Sequence, residues 1–274
     1  MYSAILLLSY VADGKIFDQY FLIVYPNPLL RYAAGLSFAP YFKVAIAVTS
    51  LMVYCGLVAA FERRPIGELA LRKSAPELIA GLLIGLGLMA SACGILAALG
   101  EVTQARAAPE VFWPSVCLSI VTAASASISE EIFFRGVLFR IFQQGIGTAG
   151  ALALSALLFG LLHAMNSGVS ITHALFIAAE AGFPLAMAYA ATQRLWLPIG
   201  LHFGWDAAYG RIFGSAEPGR HVPGLLDLSD HASSVEISVM TVLPSLALAG
   251  YLGWRAKRRG LWRPMTWRLQ LKGG

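Results

Sequence analysis

The stretch Ser129-Glu130-Glu131-Ile132-Phe133-Phe134-Arg135-Gly136 places two adjacent carboxylates and a guanidinium at the end of an uncharged, small-residue run, 111–129. In a lipid-embedded helix, charged groups are costly unless they are paired or face a wet cavity, so they are candidate functional residues. A second interpretation is a structural i,i+4 ion pair between Glu131 and Arg135, with Glu130 at the membrane surface. The stretch by itself leaves both interpretations open.

The composition is that of a membrane protein. Of the 274 residues, 58% are hydrophobic and only 13% are charged, whereas a soluble domain carries about 25% charged residues. The mean hydropathy is +0.68. The sequence therefore predicts an all-α fold, a polytopic transmembrane helical bundle of about seven membrane-spanning helices, each needing roughly 20 apolar residues, plus an irregular N-terminal segment.

The predicted spans are apolar segments bounded by charged or Gly/Pro-containing residues: 44–61, 78–100, 114–143, 148–164, 171–192, 195–212 and 236–254. Residues 1–35 fit an interfacial or re-entrant segment, or one irregular crossing, because Pro26-Asn27-Pro28 breaks their apolar run. The chain divides into three parts: an N-terminal part with the first span and a basic connector (1–76), a helical core (77–255) and a basic tail (256–274).

The net charge of +5 comes from basic membrane flanks, so we expect a lipid bilayer rather than a nucleic acid as the partner of these charges. Counting crossings puts most of the basic residues on one side: Arg63, Arg64, Arg72, Lys73, Arg135, Arg140, Arg194 and the C-terminal tail. By the positive-inside rule that side is the cytoplasm. We therefore expect a multi-pass protein with a cytoplasmic C-terminus and a tail near anionic headgroups; the membrane that we predict for it is a bacterial inner (plasma) membrane.

The cysteines argue against two other kinds of site. Cys55, Cys93 and Cys117 lie singly in three apolar segments without a CxxC spacing. Neither a disulfide framework nor a thiolate zinc site is therefore indicated. The N-terminus has no basic region followed by a small-residue cleavage site, so no removable signal peptide is expected.

Two histidines in apolar segments can reach the carboxylates. If the third and fourth predicted helices form a hairpin turning near Gly145, Glu130 precedes the turn and His163 follows it at depths that differ by only about 4–5 Å. On the sixth predicted helix, His202 and Asp206 are spaced i,i+4 and face the same way. A lone histidine on an apolar helix is usually a packed, hydrogen-bonded one, but two at compatible depths favour a site.

Other ionisable residues have simpler interpretations. His173 and Glu180 share one face of the fifth predicted helix, and the sequence favours a structural polar contact there over a catalytic role. His221 and His231 lie in the polar loop between residues 214 and 234, where we expect them to be solvated.

Taken together, Glu130-Glu131-x-x-x-Arg135, Phe159-x-x-x-His163 and His202-x-x-x-Asp206 resemble the three-motif signature of the CPBP (Abi) family. That family includes type II CAAX prenyl endopeptidases and bacterial bacteriocin-processing or immunity relatives. The resemblance implies a CPBP-like core within residues 77–255 and a glutamate-dependent intramembrane endopeptidase. It leaves the substrate open, beyond a protein or peptide with a membrane-associated segment, and the oligomeric state as well.

The resemblance also implies roles for the motif residues. Glu130 would be the general base, His163 would help to hold the water, and His202 and Asp206 would face the oxyanion. Three residues would support them: Glu131, Arg135 and Phe159. A general base near neutral pH and a donor at the developing oxyanion are the groups that such hydrolysis needs. Relatives often have Asn where Asp206 stands, so Asp206 either stays neutral as a donor or orients His202.

Three alternatives remain at this point. Two histidines and a glutamate could bind catalytic Zn²⁺, but the chain has no H-E-x-x-H, and we favour the metal-free reaction without a cofactor. A proton-coupled transporter also uses intramembrane Glu and His, although the broken-helix repeats typical of transporters are not evident. The third alternative is a non-catalytic scaffold or immunity protein in which the polar cluster is structural.

Overall fold

The computed structural model describes residues 28–100, 102–103, 109–166, 169–209, 215–217, 220–222, 227–228 and 234–263. The helices in these ranges are α1 (Pro28–Leu57), α2 (Ser74–Ala98), α3 (Pro109–Glu131), α4 (Arg140–His163), α5 (Ile171–Ile177), α6 (Phe183–Thr192), α7 (Trp196–Ala207) and α8 (Ser234–Arg258). This architecture confirms the predicted all-α helical bundle.

Short strands add two small antiparallel pairs next to the bundle. In the predicted polar loop, β2 (Ser215–Glu217) pairs with β3 (Arg220–Val222). The other pair joins β1 (Val102–Thr103), just after α2, to β4 (Asp227–Leu228). The connection after α2 and the loop before α8 therefore meet at the same end of the molecule.

Wider, π-helical turns extend or join several of the α-helices. Among them are Val58–Glu62 after α1, Ile132–Phe139 between α3 and α4, and Ala178–Gly182 between α5 and α6. Such turns occur frequently at functional sites. The second follows the Glu130–Glu131 pair directly, and the third contains Glu180.

Five segments of the described chain are long and apolar enough to cross a membrane: Pro40–Glu62, Ser74–Ala98, Val116–His163, Ile171–Thr192 and Ile237–Arg258. The third has 48 residues and contains two predicted spans, which meet at Gly147, where φ is +74°. A non-helical glycine there produces the expected turn. The sixth predicted span corresponds to α7, which has 12 residues, so the number of about seven crossings stays a prediction.

Two helix boundaries differ from the sequence prediction. Helix α1 begins at Pro28 rather than at Val44, so part of the segment expected to be irregular is helical. Helix α3 begins at Pro109 rather than at Pro114; both prolines suit a first helical turn, where no backbone N–H is needed. The predictions for residues 1–27 lie outside the described residues.

The core of the bundle is built around α6. Residues 185–191 of this helix are all buried, and they pack with buried aromatic side chains of neighbouring helices, among them Tyr54, Phe139 and Phe159. Large apolar side chains such as Met52, Leu83 and Leu243 are exposed on the outside. An apolar exterior around a small-residue core is the pattern expected of helices packed in lipid.

A charged network fixes the connector between α1 and α2. The Arg64 guanidinium donates to the Glu68 carboxylate at 2.7 Å, and the Tyr54 hydroxyl donates to the same carboxylate. Arg140, at the start of α4, contacts Glu62 at 2.5 Å and Glu68 at 3.3 Å. Burial opposes the Glu68 charge, but the hydrogen bonds from Arg64 and Tyr54 outweigh it, so the pKa of Glu68 lies below its usual value.

The same end of the bundle holds the loop before α7. Nε of Arg194 donates to Glu77 at 2.6 Å, and its Nη2 donates to the carbonyls of Ala70 and Arg72. The backbone N–H of Leu195 donates to the Glu68 carbonyl at 2.9 Å. The basic connector therefore ties α1, α4 and α7 together at one face of the bundle.

Candidate active site

The first motif, Glu130-Glu131-x-x-x-Arg135, contains a buried ion pair that supports the site. Glu131 and Arg135 are both 0% exposed, and Nη1 of Arg135 lies 2.7 Å from Oε1 of Glu131. Nη2 of Arg135 donates to the Gly182 carbonyl at 2.9 Å, and the guanidinium lies 4.8 Å from the Phe159 ring centre. The pair thus links α3 to the π-turn before α6 and to the second motif.

His202 connects the third motif to the first. Its Nδ1 lies 2.9 Å from Oε1 of Glu131, the oxygen that also accepts from Arg135. Its Nε2 faces two other carboxylates, Oδ2 of Asp206 at 3.5 Å and Oε2 of Glu130 at 3.8 Å. Glu131 therefore makes the short contact that orients the imidazole, while Asp206 lies on the opposite side of the ring.

The adjacent glutamates occupy different environments. The Glu130 side chain is 30% exposed, whereas that of Glu131 is fully buried. Oε2 of Glu130 has no hydrogen-bond partner among the described residues. Oε1 of Glu131 accepts from Arg135 and contacts His202, and its Oε2, also without such a partner, belongs to a fully buried side chain, so Glu130 is the more accessible carboxylate of the two.

His163 is fixed by its own helix. Its Nδ1 lies 2.8 Å from the Phe159 carbonyl. Because a carbonyl only accepts hydrogen bonds, we assign the proton to Nδ1, which leaves Nε2 of the neutral ring as an acceptor. The Phe159 ring lies between the two histidines, 4.8 Å from the His163 ring and 5.7 Å from the His202 ring, measured between centres.

A cavity of about 200 Å³ borders this cluster. Three of the polar side chains that line it come from the second and third motifs: His163, His202 and Asp206. Three more come from α5, the following π-turn and α8, respectively: His173, Glu180 and Ser238. The walls are otherwise mostly apolar, with Leu88 and Leu201 among them. A concave, largely apolar pocket with a few convergent polar groups is the usual form of a small binding or active site.

Glycines set the position of α7 and hence of His202. Built onto Gly200 or Gly204, a Cβ atom would lie 2.2 or 2.3 Å from the carbonyl oxygen of Leu78 or Leu82, respectively. A Cβ on Gly85 of α2 would likewise lie 2.2 Å from the Leu201 carbonyl oxygen. The two backbones touch because both helices present glycines four residues apart, the small-residue spacing that permits close membrane-helix contact.

Some of these residues were not anticipated from the sequence. Ser238 gives no signal, since nothing about a serine in an apolar helix indicates a cavity wall. Glu180 was expected to make a structural contact, and its side chain does bond to hydroxyls of α8, but it also lines the cavity. The side chains of His221 and His231 lie outside the described residues.

The described side chains contain no group of three or more His, Cys, Asp or Glu arranged to hold a metal ion. Such geometry does not decide the chemistry, because ligands can shift when a metal binds. The expectation of a metal-free reaction therefore stays a prediction.

Residues 112–208 match the protein family described as "Type II CAAX prenyl endopeptidase Rce1-like". The matched range contains all three motifs, from Glu130 to Asp206. This segment is therefore similar to the type II CAAX prenyl endopeptidase family, which confirms the resemblance of its motifs.

The chain also resembles a protein of Bacillus subtilis (strain 168) named "Putative membrane peptidase YdiL", with 35% identity over 83 residues. The aligned region covers 30% of this chain and 32% of that protein, so the chain spans about a third of the length of the curated relative that it matches. No solved structure is significantly similar to the chain.

Proposed function

We propose that this chain is a membrane-embedded endopeptidase that cleaves a membrane-proximal segment, a tail or a leader, of another protein with a glutamate-activated water. The family of residues 112–208 and the name of the Bacillus relative support a peptidase. The observation that carries the mechanism is the division between the two glutamates: the Glu131 side chain is fully buried in its ion pair, whereas the Glu130 side chain is 30% exposed at the edge of the site.

The proposed reaction begins with a water held between Glu130 and His163. Nε2 of His163 accepts a hydrogen bond from the water, and the Glu130 carboxylate takes the other proton of the water. The water oxygen attacks the scissile carbonyl carbon, and the π electrons of the carbonyl move to the carbonyl oxygen. The oxyanion then re-forms the C=O bond, the C–N bond breaks, and Glu130 gives its proton to the leaving nitrogen, so protons and charge balance.

His202 is the proposed donor to the oxyanion. An imidazolium whose Nδ1–H is committed to Glu131 presents Nε2–H toward the cavity. Asp206 and Glu130 supply opposite charge at that nitrogen. Fixed donors at a developing negative charge make the largest usual contribution to such a reaction, and Asp206 acts here by stabilising the imidazolium rather than by donating.

The proposed setting is a bacterial inner membrane with a cytoplasmic C-terminus. Five apolar helical segments and a membrane peptidase relative indicate an integral membrane protein. The finer placement is supported by the basic residues at the C-terminal end of α8, Arg255, Lys257 and Arg258, together with those of the connector network. By the positive-inside rule, this end would face the cytoplasm.

The test uses the purified full-length protein in detergent and a proteome-derived peptide library enriched in membrane-proximal tails. We expect wild type to cleave library members. The cleavage rate of Glu130→Gln should be lower by about 10²–10⁴-fold, the usual contribution of a general base. Glu77→Gln is the matched control, because Glu77 pairs with Arg194 in the connector region, and it should retain cleavage.

Each reaction is repeated with 1,10-phenanthroline. Cleavage that resists the chelator but is lost in Glu130→Gln supports the glutamate–water mechanism. Chelator-sensitive cleavage would instead indicate a zinc enzyme with the same residues, and a Glu130→Gln protein that cleaves at the wild-type rate would exclude the proposed role of Glu130.

A further inference from the structure

Glu180 is a buried carboxylate that the proposed reaction does not use. It is 5% exposed and lies in the π-turn between α5 and α6. It lines the same cavity as His163 and Asp206. An intramembrane ionisable residue that faces a cavity is a functional candidate.

The hydrogen bonds to Glu180 come from neutral hydroxyl groups, and the His163 ring interacts with it electrostatically. Ser238 Oγ donates to Oε1 at 2.6 Å, and the Thr241 hydroxyl donates to Oε2. None of the ion pairs formed by side chains of the described residues includes Glu180. Arg135, which bonds to the carbonyl of the same π-turn, is committed to Glu131. Since an ionised carboxylate has about four acceptor positions, Glu180 can accept further hydrogen bonds.

The walls near Glu180 suit a long aliphatic chain. Ile177, Leu185 and Leu88 line the same cavity. Lysine and arginine side chains bury their methylene stems against apolar surface and place their charged heads at a polar site. Here the cationic head would contact a buried carboxylate. The opposite charge of that carboxylate offsets much of the cost of removing the cation from water.

We propose that Glu180 recognises a lysine or arginine side chain of the substrate near the scissile bond, an inference that rests on the proposed peptidase function. The cation would bind the Glu180 carboxylate beside the bonds from Ser238 and Thr241, with its stem against Ile177 and Leu185. Membrane-proximal segments commonly carry Lys or Arg next to their apolar stretch, so this preference would select the edge of a membrane segment.

The experiment compares peptides of one sequence that carry lysine, arginine or norleucine at each position around the cleaved bond. We expect wild type to prefer lysine or arginine at one position. In Glu180→Gln, kcat/KM for those peptides should fall by about 30-fold or more, as for a buried charge pair that loses one partner, while norleucine peptides change little. Ser245→Ala is the control, because Ser245 is buried on α8 but does not line the cavity.

A second measurement uses binding without cleavage. In the Glu130→Gln background, the lysine peptide should bind more tightly than its norleucine counterpart, and adding Glu180→Gln should remove the difference. Thermal unfolding of each variant shows whether it is folded.

The outcomes separate the two proposals. Wild-type cleavage without a basic preference, or an equal loss for lysine and norleucine peptides in Glu180→Gln, overturns the role of Glu180 and leaves the peptidase intact. If wild type cleaves no peptide, the peptidase function fails, and equal binding of the lysine and norleucine peptides then overturns cation recognition separately.

Discussion

At the scale of single residues, the neighbouring side chains of Glu130 and Glu131 lie in different environments because successive side chains on a helix point about 100° apart. Glu131 turns inward to Arg135 and His202, and Glu130 lies at the edge of the site. The i,i+4 spacing was enough to predict the pair of Glu131 and Arg135. The contact of Glu131 with His202 was not predictable, because it depends on which faces of two separate helices meet.

Arg135→Ala should destabilise the protein rather than only inactivate it. Removing the guanidinium leaves the fully buried Glu131 carboxylate with His202 as its remaining contact, and the loss of one partner of a buried ion pair costs about 3–5 kcal/mol. We expect a lower expression level and a lower midpoint of thermal unfolding in detergent. A double replacement, Glu131→Gln with Arg135→Met, removes both charges and should be less destabilised than Arg135→Ala. An Arg135→Ala protein with the stability of wild type would contradict this structural role.

At the scale of secondary-structure elements, the site depends on the contact between α2 and α7. The glycine-rich character of the second predicted span indicated close helix contact, but not its partner. Gly200-x-x-x-Gly204 is the signal on α7 that could have identified it. A small-residue spacing marks the face of a helix, whereas the partner is decided by the packing of the whole bundle.

Gly85→Ala and Gly87→Ala provide a matched pair on one helix. The added Cβ lies 2.2 Å from the Leu201 carbonyl oxygen at position 85, and meets nothing within 4 Å at position 87. We expect Gly85→Ala to push α7 away, with a stability loss of about 1–3 kcal/mol from overpacking, and to reduce cleavage because His202 shifts with the helix. Thermal unfolding and peptide cleavage measure the two effects, and equal behaviour of the two variants would argue against this contact.

At the scale of the whole molecule, the connector network holds together helix ends that are distant in sequence. Arg140 and Glu62 are 78 residues apart, and Arg194 and Glu77 are 117 apart. The sequence predicted the basic connector but not these partners, since charge runs at membrane surfaces are usually solvated, and the side of the membrane on which the connector lies stays a prediction. The helices and the common depth of the motifs were more predictable, because apolar length and rise per residue set them.

The network should make stability depend on pH below about 4.5. The folded-state pKa of Glu68 lies below its ordinary value of 4.5, so its ionised form contributes stability at higher pH, and that contribution is lost as pH falls through the folded pKa. We expect the unfolding temperature of wild type to exceed that of Glu68→Gln at neutral pH, with the difference shrinking below pH 4.5. A difference that is constant from neutral to acidic pH would contradict this linkage.

The touching backbones of α2 and α7 also restrict the path of a peptide within the bilayer. Helices whose glycines meet cannot separate laterally without giving up their closest contacts, so we expect no gate between them. Across the cavity, the π-turn after α5 meets α8 through the hydrogen bonds of Glu180 with Ser238 and Thr241. A cation that binds Glu180 beside those bonds would lie at this contact, so the substrate would be recognised where the helices are joined by hydrogen bonds rather than by touching backbones.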